Sequence, residues 1–522
     1  MYQSMQNMGC GFIATVGMAA SMGFQMQTHA AGMQSSGYDT SKPNIVLILA
    51  DDMGYGDIAA LNERSKIPTP NLDQIANDGM TFTDAHTPSS VCTPTRYGLL
   101  TGRYCWRTRL KRGVLNGYSR PLIERERRTI GTLLQQQGYH TAIIGKWHLG
   151  LEFVDESGDL TDPDERMPSV DLSKPLKYSP NDVGFDESYI ISASLDFPPY
   201  VYIKNHRVEE VATEEHEAIK FPAYMRAGEK APGFKAVDTL DHMTSRAVDY
   251  IDTQAKTDEP FFLYFPITAP HKPVLPHDRF VDQSSMGRYG DFVMQVDWTV
   301  GQIIQKLKDE GIEESTLVIY TSDNGSFMYR YDKETRPSDH RANLKSMGYY
   351  PENHEANYNF RGTKADIFEA GHRVPFLVKW PAKIASGSKV NQTVCLTDIF
   401  STFAEIAGVP INRGEGEDSF SLLSVMQGDQ KWVRKQPVVH HSSRGAFAIR
   451  DGDWKLILTD GSGGRQRPQS TPFAKPYQLY NLKNDIGERQ DLAREQSEIR
   501  DRLEEKCLKI IASDASRYDI GK

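Results

Sequence analysis

The sequence has few cysteines, and those it has are odd in number and widely spaced. They are Cys10, Cys92, Cys105, Cys395 and Cys507. None stand in the close pairs that are typical of structural zinc sites or redox-active dithiols. This pattern excludes a disulfide scaffold and a thiolate metal site as the basis of the fold.

Long apolar runs and an excess of positive charge are also missing. Beyond the first 32 residues, no apolar run approaches the roughly 20 residues that span a bilayer, so we expect no transmembrane segment. The formal net charge of −9 argues against a general binder of nucleic acid or anionic membranes. An anionic substrate would therefore have to be attracted by a local cluster of cations.

The amino terminus is apolar and small over residues 9–24, although it lacks the usual positive start of an export signal. We predict that residues 1–32 are an atypical signal peptide of a bacterial protein, which would make the mature protein periplasmic or secreted; a disordered tail is the alternative. A single core rarely exceeds about 300 residues. For 522 residues we therefore predict two units, a catalytic domain over 43–428 and a smaller one over 429–522.

Hydrophobic periodicity predicts an α/β fold. Residues 43–50 form a continuous apolar run, which is typical of a strand buried inside a parallel sheet. Further strands are predicted at 140–145, 261–265, 317–321 and 375–380, and they alternate with helical periods at 71–78, 128–137, 239–254, 292–310 and 396–407. This alternation indicates a mostly parallel central sheet sandwiched by helices.

Other stretches lack this alternation. Residues 151–232 and 329–359 are polar with little periodicity, and we expect them to be long insertions. Past residue 428, short strands are predicted at 437–441, 446–450, 454–458 and 478–482, followed by a helix at 491–512. These indicate a small antiparallel sheet with a packed helix.

Oxygen-bearing side chains follow two of the predicted strands. Asp51 and Asp52 come after the first strand, and Asp323 and Asn324 follow the strand at 317–321. Ligand sites of open α/β sheets gather at such strand ends, and hard oxygen ligands suit calcium. The alternative for an aspartate pair after a strand is a turn or a helix cap.

Cys92 stands two residues before Pro94 and four before Arg96, and an apolar helix-forming run follows. We interpret Cys92 as a reactive side chain at the start of a helix, where unpaired backbone N–H groups and the helix dipole stabilise an anion. The alternative is that Cys92 is a small buried hydrophobe, as free cysteines often are.

The pattern Cys-x-Pro-x-Arg followed by Leu-Thr-Gly-Arg resembles the signature of type I sulfatases, members of the alkaline phosphatase superfamily, whose cysteine is oxidised to formylglycine. The resemblance implies an alkaline-phosphatase-like fold and one divalent cation, usually Ca2+, held by Asp51, Asp52, Asp323, Asn324 and the formylglycine derived from Cys92. It also implies a maturation partner, either a formylglycine-generating enzyme or an anaerobic sulfatase-maturating enzyme.

The same resemblance assigns further catalytic residues. Residues 145–150 are similar to the family's Gly-Lys-Trp-His-Leu-Gly element, in which Lys146 would contact the sulfate and His148 would orient the formylglycine hydroxyl. We also expect these two side chains to point the same way on an extended segment. His271 would contact the bridging oxygen of the ester and act as general acid, and Lys364 corresponds to a second sulfate-binding lysine.

We expect the substrate to be a sulfated carbohydrate, with a galactose or N-acetylgalactosamine sulfate of an algal galactan or glycosaminoglycan as the leading candidate. Candidate pocket residues are Trp106, Arg107, His206, His372 and Arg373. Two alternatives stay open: a phosphonate or phosphate monoester hydrolase of the same superfamily, and a sulfoglycan-binding protein without turnover, should Cys92 stay unoxidised.

Overall fold

The computed structural model describes residues 42–161, 168–328 and 354–517. All of these lie in one compact unit. The predicted signal peptide, residues 1–32, lies outside the described residues, as does most of the predicted insertion at 329–359. Within the described ranges, no helix is both long enough and apolar enough to cross a membrane.

The strands of the described residues, in chain order, are β1 (Asn44–Asp51), β2 (Met80–Phe82), β3 (Ala85–His86), β4 (His140–Lys146), β5 (Glu187–Ile191), β6 (Ile203–Lys204), β7 (Arg207–Val208), β8 (Glu214–His216), β9 (Gly228–Lys230), β10 (Phe261–Pro270), β11 (Thr316–Ser322), β12 (Phe376–Lys379), β13 (Ser388–Val390), β14 (Val394–Cys395), β15 (Val438–His441), β16 (Phe447–Asp451), β17 (Trp454–Ile457) and β18 (Gln478–Asn481).

The α-helices of the same residues are α1 (Pro70–Asp78), α2 (Cys92–Thr101), α3 (Ile130–Gln135), α4 (Thr239–Gln254), α5 (Gly287–Asp309), α6 (Glu369–His372), α7 (Asp398–Ile406), α8 (Leu423–Met426) and α9 (Ser497–Ala512).

The large sheet has the order β13-β2-β12-β11-β1-β10-β4-β5-β6-β7. Its centre is parallel, because β1 pairs in parallel with both β10 and β11, and β4 pairs in parallel with β10 and β5. Strand β12 runs antiparallel to β11. Every residue of β1 is buried, as expected for a central strand covered on both faces. The predicted α/β class with a mostly parallel sheet is confirmed.

One predicted insertion contains part of the sheet. The stretch 151–232, which we expected to lie outside the regular fold, contributes β5 as the parallel neighbour of β4. Its apolar run is short, Tyr189–Ile191 within β5, and polar residues surround it. Periodicity over so few residues does not distinguish a strand from a loop.

The carboxyl-terminal residues form an antiparallel sheet of order β15-β16-β17-β18. Helix α9 packs against β16 and β17, and it begins at Ser497 rather than at 491. Leu503, Cys507 and Ile510 of this helix share an apolar core with Ile449 and Leu456 of the sheet. The predicted small antiparallel sheet with a packed helix is therefore present.

Candidate active site

Four parallel neighbours of the large sheet end at one edge. Strands β1, β4, β10 and β11 end at Asp51, Lys146, Pro270 and Ser322. Parallel strands bring their carboxyl ends together, so residues that are far apart in the sequence meet there. Most of the residues predicted to be catalytic or metal-binding lie at these ends or just after them, whereas Cys92 and Arg96 lie on α2 and Lys364 lies shortly before α6.

Helix α2 begins at Cys92, as predicted. Val91 before it is extended, and Pro94 stands in the first turn, where a missing N–H costs nothing because these N–H groups have no partner within the helix. Cys92 Sγ lies 3.6 Å from Asp51 Oδ1 and 3.4 Å from Lys364 Nζ. The first residue of the helix is therefore next to both a carboxylate and an ammonium group.

Two buried ion pairs lie at this edge of the sheet, one between the ends of β4 and β1 and one between α2 and the end of β11. Lys146 Nζ lies 2.7 Å from Asp51 Oδ2, and Arg96 Nε donates to Asp323 Oδ2 at 2.9 Å. The Arg96 guanidinium also donates to the carbonyl oxygen of Lys146 at 2.9 Å. All four side chains are fully buried, so each charge is stabilised by its partner rather than by water.

Asp52 and Asn324 complete the oxygen-rich side of the site. Lys364 Nζ pairs with Asp52 Oδ1, and Asn324 Nδ2 donates to the same oxygen at 2.7 Å. Asn324 Oδ1 is buried and has no hydrogen-bond partner among the described residues. A buried acceptor without a donor is costly, so this oxygen is free to bind a ligand.

The donor set fits a hard divalent cation. Burial raises the pKa of Asp51 to about 7, and the nearby carboxylates of Asp323 and Asp52 contribute to this rise against the opposing charge of Lys146. Ligand atoms of Asp51, Asp52, Cys92 and His271 lie within 4.8 Å of one another. A cation between these carboxylates would remove their repulsion and give the free oxygen of Asn324 a partner.

The backbone conformation of His148 differs from the extended one that we predicted. Its backbone is left-handed, with φ of 58°, because the chain has already left the extended conformation after Lys146. The alternation argument for Lys146 and His148 therefore does not apply. His148 Nε2–H donates to the carbonyl oxygen of Leu115 at 2.8 Å, which no sequence signal indicated.

The hydrogen bond to Leu115 leaves His148 Nδ1 as the free lone pair of the ring. This atom is buried and without a hydrogen-bond partner in the part of the chain that the structure describes. Burial and the charge of Lys146 hold the pKa of His148 well below its usual range. The imidazole is therefore neutral, and Nδ1 is its free hydrogen-bond acceptor.

His271 follows β10 and faces the carboxylate side of the site. Its Nδ1–H donates to the carbonyl oxygen of Lys272, and Nε2 lies 3.7 Å from Asp52 Oδ2. Burial, together with the charges of Lys364 and Lys146, holds the pKa of His271 well below its usual range. In the free protein this ring is neutral as well.

The thiol of Cys92 is not a ready nucleophile. Burial and the charge of Asp323 raise its pKa to about 12, whereas reactive cysteines have a lowered pKa. The geometry therefore favours a role for residue 92 other than that of a thiolate.

The candidate pocket residues are occupied by contacts within the protein. Trp106 is buried, with the Arg107 guanidinium 4.3 Å from its ring centre, and Arg107 pairs with Asp418 at 2.8 Å. His206 Nε2 lies 2.9 Å from Asp182 Oδ2. Trp106 and Arg107 are thus held by contacts within the protein, whereas the His206 side chain stays 39% exposed; the role of the three residues in substrate binding stays a prediction.

The two pocket candidates near α6 also form contacts within the protein. His372 is fully buried, with its Nδ1 3.0 Å from His86 Nδ1, and Arg373 pairs with Asp84 at 3.1 Å. Within the described ranges, neither forms a hydrogen bond to the residues around Cys92. Both contribute to a separate buried network.

Comparison with known proteins relates the chain to one family. The family model described as Sulfatase matches residues 43–409, and a model described as N-sulphoglucosamine sulphohydrolase, C-terminal, matches residues 362–513.

Two sulfatases and one solved structure are similar to this chain along most of its length. The chain is 30% identical over 506 residues to an N-acetylgalactosamine-6-O-sulfatase of Bacteroides thetaiotaomicron, which covers 89% of this chain and 92% of that protein. It is 31% identical over 476 residues to human arylsulfatase A, covering 86% of this chain and 83% of that protein. A solved structure connected with the metabolism of multiple glycosaminoglycans by Bacteroides thetaiotaomicron has a TM-score of 0.77 and 28% identity, covering 91% of this chain and 100% of that chain.

Proposed function

Because this chain belongs to the sulfatase family, we propose that it hydrolyses the 6-sulfate ester of N-acetylgalactosamine, or of the related galactose, in a glycosaminoglycan or an algal galactan. As a sulfatase it is a sulfuric ester hydrolase acting on sulfated carbohydrate. The choice of sugar and position rests on one observation, the alignment with an N-acetylgalactosamine-6-O-sulfatase along nearly the whole length of both proteins.

We further propose that Cys92 is converted to formylglycine by a maturation enzyme. Three features support this: Cys92 begins a buried helix, its thiol stays protonated, and Lys364 Nζ is 3.4 Å from its sulfur. Hydrated formylglycine supplies a nucleophilic oxygen at this position. A serine there would remain esterified after attack, whereas an aldehyde hydrate can expel sulfate.

We propose Ca2+ as the cation of the site. Asp51, Asp52, Asp323 and Asn324 would hold it, together with an oxygen of the modified residue 92. When bound, the ion supplies positive charge near the nucleophile and the sulfate. The buried carboxylates and the unpartnered Asn324 Oδ1 support this ligand set.

Three cations are available to bind the sulfate group. Arg96, Lys146 and Lys364 surround residue 92, and each is now paired with an aspartate. With a divalent cation neutralising those aspartates, the two lysines are free to donate to sulfate oxygens. Donors fixed at the place where negative charge develops contribute most to such a reaction.

The two histidines would move protons. His148 Nδ1 is the free acceptor and would take the proton of a hydroxyl on residue 92. His271 would protonate the departing sugar oxygen. Its pKa is low in the free protein because of burial and of Lys364 and Lys146, and the negative charge of a bound sulfate ester would raise it.

The decisive experiment measures free sulfate released from N-acetylgalactosamine 6-sulfate, galactose 6-sulfate, sulfated galactans and glycosaminoglycan fragments. The protein is produced with a formylglycine-generating enzyme, and Cys92→Ala serves as control. We expect release from 6-sulfated galacto-configured sugars and none from the control. Release only from simple aryl sulfates would contradict the carbohydrate assignment, and release from phosphonate esters would favour the alternative hydrolase.

Two further proposals concern the chain as a whole. We propose that residues 1–32 direct export and are removed, and that residues 43–428 and 429–522 are the catalytic and carboxyl-terminal units. The mass of the mature protein from its native host tests the first proposal. Limited proteolysis near residue 428 tests the second.

A further inference from the structure

A second group of charged side chains borders His271 and has no part in the chemistry above. Asp196 is buried, accepts a hydrogen bond from Arg226 Nη1 at 2.5 Å and lies 3.5 Å from Lys272 Nζ. Ser194 Oγ also donates to this carboxylate, at 2.7 Å. A single carboxylate thus serves two cations. The side chains of Lys272 and Arg226 keep 26% and 36% of their surface exposed, so a ligand can reach them.

Aromatic rings hold these two cations beside the catalytic histidines. Lys272 Nζ lies 4.1 Å from the ring centre of Tyr224, and the Arg226 guanidinium lies 3.7 Å from that of Phe197. The Phe197 ring is in turn 6.0 Å from the ring of His148. Lys272 directly follows His271 in the chain, and its charge contributes to lowering the pKa of His271, the proposed general acid.

A third cation approaches from the carboxyl-terminal sheet. The loop between β17 and β18 is anchored next to Lys364, because the backbone N–H groups of Arg465 and Gln466 donate to Asp366 Oδ1 at 2.5 and 3.0 Å. A Cβ on Gly464 would lie 2.2 Å from the carbonyl oxygen of Ala365, so only glycine allows this close approach.

The side chain of Arg465 is half-buried, and its guanidinium forms no hydrogen bond or ion pair with any described residue. The positive charge of Arg465 acts on the nearby Lys272. Burial lowers the pKa of Lys272 to about 8, and Arg465, Lys364 and Arg226 contribute to this shift against the opposing charge of Asp196. The border of the site therefore carries positive charge that neither Asp196 nor the reacting sulfate neutralises.

We propose that Arg465 and Lys272 form a subsite for a second anionic group of the substrate, a sulfate or a carboxylate carried by the same glycan as the sulfate that is removed. This inference rests on the proposed function, because it takes a sulfated glycan as the occupant of the site. The preferred substrates are then multiply charged glycans rather than singly sulfated sugars.

The test compares three substrates: N-acetylgalactosamine 6-sulfate, its 4,6-disulfate, and a disaccharide that joins the 6-sulfated sugar to a uronic acid. Arg465→Gln should lower kcat/KM about tenfold for a substrate whose second anion uses the subsite, and less than about twofold for the monosulfate, as the loss of one charge-assisted hydrogen bond requires. Lys272→Met should act in the same direction. Arg467→Gln, which removes the same charge from an exposed position of the same loop, should change neither value.

The responding substrate identifies the anion: loss with the disulfate alone indicates sulfate, and loss with the disaccharide alone indicates carboxylate. An equal effect of Arg465→Gln on all three substrates, or no effect on any, would overturn the subsite. Calorimetric binding to the Cys92→Ala protein separates this inference from the proposed hydrolysis. Tighter binding of a doubly charged sugar that Arg465→Gln abolishes supports the subsite even if no sulfate is released, and equal affinity for singly and doubly charged sugars refutes it.

Discussion

Two buried clusters of polar side chains in this protein contain similar residue types. They differ in the surroundings of the atoms that have no hydrogen-bond partner. The cluster that we propose to be catalytic, called the catalytic cluster below, comprises Asp51, Asp52, Cys92, Arg96, Lys146, His148, His271, Asp323, Asn324 and Lys364. The histidine cluster comprises Asp84, His86, Glu369, His372, His440, Lys455 and Glu488. Both contain groups of side chains close enough to hold a metal ion.

In the histidine cluster most polar groups are paired with one another, although His440 Nε2 is buried without a hydrogen-bond partner among the described residues. His86 Nε2 lies 2.9 Å from Asp84 Oδ1, its Nδ1 lies 3.0 Å from His372 Nδ1, and Lys455 Nζ lies 3.0 Å from His372 Nε2. Lys455 also pairs with Glu369 at 3.0 Å. Asp84 directly precedes β3, and the other residues come from β3, α6 and β17, so the network joins β3 and α6 to the carboxyl-terminal sheet.

The orientation of the rings argues against a metal in the histidine cluster. His372 and His440 stack with centres 3.7 Å apart and planes at 12°. An imidazole binds a metal in its ring plane, along the nitrogen lone pair, so two stacked and nearly parallel rings do not ligate one ion together. Both clusters contain unpartnered buried atoms, His440 Nε2 in the one and Asn324 Oδ1 and His148 Nδ1 in the other. Only in the second do the carboxylates of Asp51 and Asp52 lie with a further ligand atom without such stacked rings between them. The orientation of the ligand atoms, rather than their distance from one another, distinguishes a metal site from a structural network.

The largest effect separating the two clusters is expected from Cys92→Ala in the catalytic cluster. Removing the precursor of the nucleophile should reduce sulfate release at least about 10⁴-fold. The small change in volume should leave the unfolding temperature nearly unchanged. Sulfate assays and thermal unfolding of the same preparation measure both. Activity within tenfold of wild type would contradict the assignment of residue 92.

Lys455→Met should affect stability instead. It leaves Glu488 buried without its counter-charge and Glu369 with Arg373 as its remaining cation, which should lower the free energy of unfolding by about 3–5 kcal/mol. Lys364→Met, measured with Ca2+ present, is the matched variant of the catalytic cluster and should lose activity while keeping its stability. Urea unfolding compares the two. Equal stability losses would remove the proposed distinction between the clusters.

Calcium should stabilise the protein through the catalytic cluster alone. At about 100 times its dissociation constant, Ca2+ should add about 2.7 kcal/mol to the stability of metal-free protein. Asn324→Ala should reduce this gain because it removes a ligand oxygen, whereas His440→Gln should leave it intact. Thermal unfolding across a calcium titration gives the result. A gain abolished by His440→Gln would place the ion in the histidine cluster.

The smallest effect concerns pH. Burial and the neighbouring His86 and Lys455 hold the pKa of His440 well below its usual range, against the opposing charge of Glu369. The unfolded chain therefore binds a proton in a range where the folded protein does not, and stability falls as pH decreases below about 6.5.

His440→Gln should remove this contribution, so its stability relative to wild type should improve by up to about 2 kcal/mol between pH 8 and pH 5. Other titrating groups, Asp51 included, are present in both proteins and cancel in the comparison. Urea unfolding at each pH measures the difference. A difference that stays constant with pH would contradict a neutral buried His440.

Much of the fold and of the catalytic cluster followed from the sequence. Apolar runs predicted β1, β4, β10 and β11, because a strand buried on both faces needs apolar residues throughout. The Cys-x-Pro-x-Arg pattern placed the start of α2 at Cys92, because helix starts depend on neighbouring residues.

Only the tertiary structure decided how distant residues meet. Strand β5 became part of the sheet by pairing with β4. The carbonyl oxygen of Leu115 determined which nitrogen of His148 is free. A loop about 100 residues away in the chain brought Arg465 beside Lys364. Trp106 is instead packed in the interior, and His372 forms hydrogen bonds within the protein. Such contacts depend on the positions of whole elements, and local sequence patterns carry no information about them.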